Sequence, residues 1–250
     1  LGLISIAVTT TAVVLSWFSL NLADRNPRYK QGDWQAFTSV RFITCAAESP
    51  DYVYFGSQGG VARWDRLARR WAPALTTAEG LPSNEIRRLA YNPDTDELFA
   101  ETNLGTSVFR RVFEEWRFTP DFPDSLERQW EPARIEGWYL PFGYDALTLG
   151  YFTDPHLRRY EIAGSIEDSY GNSWIGTWGD FVWRQQYAGF DLEPQEWGLY
   201  NDNVAAIFLD SGVVYFAGPS LYRGDGALTV YDTASASWQY IEAEFTDGFA

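Results

Sequence analysis

The chain has 250 residues, 46% of them hydrophobic and 18% aromatic, enough to bury a substantial core and too ordered in composition for a disordered tail. Thirty-four acidic against 19 basic residues leave a net charge of -15, which repels phosphate backbones, excludes nucleic acid as a partner and makes a cationic protein the easier one. One cysteine, Cys45, excludes an internal disulfide and a Cys-cluster metal site, and one histidine, His156, excludes multi-His metal sites and argues against a His-based triad.

Residues 1–23 contain no charged side chain and are rich in Leu, Ile, Val and Ala. A helix of that length, at about 1.5 Å per residue, spans a hydrocarbon core of about 30 Å. Trp17 and Phe18, with Arg25 and Arg28 beyond them, are placed for the membrane interface. A single transmembrane helix is expected, followed by a linker over 24–32. The rival, a cleavable signal peptide, is disfavoured because the apolar run is long and Asn21-Leu22-Ala23 is a poor cleavage site.

From residue 33 to 250 a repeat governs the sequence. Trp34, Trp71, Trp116, Trp197 and Trp238 each follow one polar or charged residue and recur at intervals of roughly 40 residues, or of two such units where one copy has drifted. No 3.6-residue periodicity follows residue 23, so helical repeats are excluded. Within the units, Gly80-Leu81-Pro82-Ser83-Asn84-Glu85-Ile86 leads into Leu89-Ala90-Tyr91 and a turn at Asn92, and Gly198-Leu199-Tyr200 leads at the same spacing into Ile207-Phe208-Leu209 and Asp210. Glycine and Asn/Asp make the connection between units, and the apolar run after it is expected to be an innermost strand buried between neighbours. Units of several short strands at this period predict an all-β fold, a β-propeller of four-stranded blades. About five blades are visible, and six or more are expected, because Thr246-Asp247-Gly248-Phe249 reads as the start of another unit.

These residues, with Asp168-x-x-Gly171-Asn172-x-Trp174-Ile175-Gly176-Thr177, resemble the blade repeat of two-component-regulator-type β-propellers over about residues 32–249. The resemblance implies an extracytoplasmic, periplasmic module of a membrane sensor. The basic residues Arg25, Arg28 and Lys30 taken alone favour the opposite side.

Candidate chemistry is sparse. Cys45 lies in an apolar run and reads as a core filler. His156 follows Asp154-Pro155 in a turn, and Asp94-Thr95-Asp96-Glu97 lacks the spacing of a calcium loop. Glu167 and Asp168, adjacent at a strand end, point to opposite faces. No catalytic, cofactor or metal site is expected. The third unit departs most from the repeat, and its aromatics Trp130, Trp138, Tyr139, Phe142 and Tyr144 are the candidate partner-binding residues. The reading is a non-catalytic, membrane-anchored docking subunit of a multi-subunit bacterial complex, photosynthetic, respiratory or transport, that contacts other membrane-protein subunits through its helix and loops. A ligand-sensing propeller and a polysaccharide-active enzyme are the alternatives.

Overall fold

The computed structural model describes residues 36–127, 130, 139–147, 150–187, 189, 191–201, 203–219 and 227–242. The expected membrane helix with Trp17, Phe18, Arg25 and Arg28, the linker and Trp34 lie outside the described residues. Among those described, no helix is long and apolar enough to cross a membrane.

The architecture is all-β and antiparallel. The first sheet is β1 (Ile43–Glu48), β2 (Tyr52–Ser57), β3 (Gly60–Asp65) and β4 (Arg70–Leu75), each paired with the next. The second repeats this meander with β5 (Ile86–Asn92), β6 (Glu97–Thr102), β7 (Gly105–Arg110) and β8 (Glu115–Thr119). Short strands with polar turns between them favour such a meander over longer-range pairings. The turns repeat in detail: Arg69, Glu114 and Ala236, each two residues before a repeat tryptophan, all have φ near +50°. Their shared left-handed conformation reverses the chain into the outer strand.

The inner strands share a second device. The β1–β2 register shifts between Ile43 and Cys45, the β5–β6 register between Ile86 and Arg88. Such a bulge turns Ile43 and Cys45 to opposite faces, although two residues apart they would otherwise share one. Ile43, Ala46, Val53 and Phe55 then pack toward the third sheet, while Cys45, Ala47 and Tyr54 pack against Ile86, Leu89 and Leu98 of the second. The first sheet is therefore covered on both faces.

The third unit does not build a blade of its own, which corrects the expected count of five to four sheets among the described residues. Its two strands, β9 (Asp145–Leu147) and β10 (Tyr151–Thr153), are three residues each and pair onto the edge of β11 (Arg159–Glu167). With β12 (Ser173–Trp178), β13 (Val182–Gln185) and β14 (Leu192–Gln195) they form one six-stranded sheet. Strands this short bury too little to stand as a separate sheet, and an open edge offers them hydrogen bonds. The fourth sheet is β15 (Ala206–Asp210), β16 (Val213–Ala217), β17 (Ala227–Asp232) and β18 (Ser237–Glu242). The described residues do not close a ring.

Trp130 lies inside this framework. Its indole packs against the core between the first and third sheets, over Gly164 of β11 and Gly176 of β12. A Cβ on Gly164 would sit 2.0 Å from the ring, so glycine is there to admit the indole. Gly164→Ala is therefore expected to cost about 1–3 kcal/mol through overpacking. In a Trp130→Ala background the same change should cost less than about 0.5 kcal/mol, a coupling that urea titration of the four variants measures.

Candidate functional site

The third-unit aromatics divide into buried and exposed members. The segment at 139–144 runs beside β14: Tyr139 bridges Asp191 in parallel, and the Leu192 amide donates to the Tyr139 carbonyl at 2.9 Å. Tyr144 turns inward, its ring 5.0 Å from that of Trp183 and 6.0 Å from that of Phe152, and burial pushes its phenol pKa up. Tyr144 and Trp130 are thus occupied in packing, because a half-wrapped hairpin needs large rings to fill the space beneath it. Tyr139 and Phe142 are exposed, Phe142 fully. Trp138 lies outside the described residues. Cys45 is buried, which pushes its thiol up to about 12 and leaves it inert, and His156 is exposed in its turn. Asp168 is buried and Glu167 exposed, on opposite faces as expected.

β15 overturns a specific expectation. Its counterparts β1 and β5 are buried against neighbouring sheets, and the same burial was predicted for Ile207-Phe208-Leu209. Instead all five residues of β15 are exposed, with Ile207, Phe208 and Leu209 at 66%, 65% and 64%. The strand pairs only with β16, and no described sheet packs against it. The pairing also runs without the register shift seen in β1 and β5. Three consecutive large apolar side chains alternate across both faces of a free edge strand, the feature that soluble proteins ordinarily cover or charge.

A polar cluster joins the third and fourth sheets. Gly179 (φ +111°) and Phe181 (φ +57°) bend the chain so that Asp180 accepts from Trp183 Nε1 at 3.2 Å, while Arg41 crosses the Tyr200 ring at 3.8 Å and donates to the Tyr200 carbonyl at 3.1 Å. Nearby, Arg158 ties Asp154 to Glu242 and donates to the Tyr200 hydroxyl at 3.0 Å. Burial pushes the Asp180 carboxyl up to about 8; Arg41 opposes this and Glu196 reinforces it. Glu196 is itself raised by burial and by Glu242. Asp180 therefore keeps its proton near neutrality. None of this was visible in sequence, because the members come from five separate segments. Among the described residues no group of three or more His, Cys, Asp or Glu is arranged to hold a metal ion.

Because the folded pKa of Asp180 lies above its unfolded value near 3.8, the folded chain holds this proton longer than the unfolded one. Its contribution to stability is complete below about pH 4 and is lost as pH rises toward about 8; Glu196 acts in the same direction. The melting temperature should fall by several degrees between pH 5 and pH 8, and Asp180→Asn should flatten that fall.

No family model and no curated protein matches the chain. Among solved structures it is similar to the extracellular domain of a hybrid two-component system of B. thetaiotaomicron, at 16% identity and TM-score 0.29, over 88% of this chain and 24% of that one. It is also similar to PorZ, a surface component of the type-IX secretion system of Porphyromonas gingivalis, at 13% identity and TM-score 0.32, over 83% and 29% of the two chains. A third likeness is to apo AztD from Citrobacter koseri, at 11% identity and TM-score 0.26, over 81% and 47%. The chain thus spans between about a quarter and a half of the structures it matches. At these TM-scores the likenesses transfer neither ligand nor partner.

Proposed function

We propose that the chain is a non-catalytic docking module of a larger assembly, and that a partner protein seats on β15. The observation that carries this reading is the run Ile207-Phe208-Leu209, exposed in the one strand whose counterparts are buried. Its occupant is a partner with an apolar β-sheet face and a basic rim. The inner strands β1 and β5 accept sheet faces in the same way, and a surface of net charge -15 disfavours an acidic partner. Covering the three side chains would remove a patch of consecutive apolar surface from water at about 25 cal/mol per Å². On this reading the uncharged run 1–23 is the tether to a membrane complex, and the exposed Tyr139 and Phe142 add a secondary contact. The likeness of the repeat to extracytoplasmic propellers supports a periplasmic position for the sheets.

A photo-crosslinking residue at Phe208 tests the docking surface in native cells. The expected result is one crosslinked partner polypeptide that disappears when Ile207 and Leu209 are both changed to Asp. A control at Leu67, exposed to 95% on the first sheet, should not capture it. The same products from both positions, or none from Phe208, would overturn the reading, and crosslinks to a second copy of the chain would replace the partner with self-association.

A further inference from the structure

Between the first and third sheets, where the β3–β4 turn faces the β11–β12 turn, lies a half-open cavity of about 560 Å³. That size falls within the range of small-molecule sites, roughly 300–1,000 Å³. Its walls gather Arg66, Arg69 and Arg184 with Trp64, Tyr170 and Tyr187. Three guanidinium groups on one cavity stand out in a chain with 34 acidic and 19 basic residues.

The two acidic residues that line the cavity, Asp51 and Asp168, are engaged elsewhere. Asp51 pairs with Arg111. Asp168 accepts from the backbone amides of Tyr170 and Asn172 at 3.0 and 2.9 Å and from Trp174 Nε1 at 2.8 Å, so its oxygens are spent on the turn. Glu48 pairs with Arg66, which also donates to Ser169 Oγ at 3.1 Å and lies over the Tyr170 ring.

Neither Arg69 nor Arg184 makes an ion pair or a side-chain hydrogen bond among the described residues, although Glu193, opposite Arg184 on β14, and Asp168 act on the Arg184 charge. The Arg184 guanidinium lies 5.0 Å from the Trp64 ring centre and 5.5 Å from that of Trp174, and its buried Nε is without an acceptor. Burial lowers the Arg184 pKa; Glu193 and Asp168 oppose this, and the like charge of Arg69 adds to it. An unpaired guanidinium held partly out of water calls for an anion, and its planar fork matches a carboxylate. Tyr187 supplies a flat wall: its amide donates to Asn172 Oδ1 at 3.0 Å, and its ring lies so close over Gly171 that a Cβ there would approach to 2.5 Å. Tyr170 and Tyr187 remain largely exposed at the cavity mouth.

We propose that this cavity binds a small carboxylate carried on a six-membered ring, its acid group on Arg184 and Arg69 and its ring against Tyr187 and Tyr170. The docking reading on β15 plays no part in this. Arg69 is exposed and has φ +51°, a conformation asparagine accepts, so Arg69→Asn removes the charge without disturbing the turn. Calorimetric titration of the full chain uses three probes: glucuronate for a sugar ring, benzoate for an aryl ring, and methyl glucoside as the uncharged control. One of the two carboxylates should bind with a 1:1 stoichiometry, and its affinity should drop at least about tenfold in Arg69→Asn and in Arg184→Gln. Thermal melts confirm that both variants are folded. Absence of binding by both carboxylates, equal binding of methyl glucoside, or affinity unchanged in Arg69→Asn would overturn the proposal.

Discussion

The fold depends on a run of tryptophans that joins three sheets. Trp174 of β12 is fully buried and meets Trp64 of β3 edge-on at 5.5 Å; Trp64 meets Trp71 of β4 at 5.3 Å. Trp71 reaches Trp197 at 6.0 Å, and Trp197 reaches Trp238 of β18 at 6.0 Å. Sheets of four short strands have little area to hold one another, so large tilted rings at each junction supply the contact. The first link is oriented by Asp168, whose carboxylate takes the Trp174 indole proton and two amides of the same turn. A single buried acid thereby sets both a hairpin and the packing of two sheets. Phe37 extends the run by packing against Trp238 at 5.8 Å, which draws the segment before β1 onto the fourth sheet.

Much of this was legible. The tryptophan spacing falls on β4, β8 and β18, with Trp197 just past the end of β14, and the motif from Asp168 to Thr177 covers the turn into β12 and most of that strand. Leu89 and Ala90 are buried as the repeat predicted. The third unit departs from the repeat in sequence and in structure alike, yet short strands carry no mark of which edge they will join. Trp130 looked like a surface anchor because no sequence pattern pairs an aromatic with glycines 34 and 46 residues later. The glycines at 164 and 176 acquire meaning only when the ring is seen above them. The Asp180 cluster and the arginine cavity were illegible for the same reason: each is assembled from sheets that meet only in the fold.

One hairpin serves two of these sites. The turn at Asp168–Asn172 walls the arginine cavity, and the turn at Trp178–Phe181 carries Asp180 into the polar cluster. Around it, Arg184 lines the cavity and Asp180 enters the polar cluster. β15 is the complementary case. There the sequence keeps the repeat and the surroundings fail to bury it, which leaves an inner strand facing solvent.

The central claim is that this strand is an interface. Hydrogen–deuterium exchange of the full chain, alone and within its native assembly, addresses it most directly by comparing β15 with β1. The account predicts rapid exchange at the outward-facing amides of β15 in the isolated chain and strong protection in the assembly, with β1 protected in both. Equal and rapid exchange of β15 in both states would contradict it.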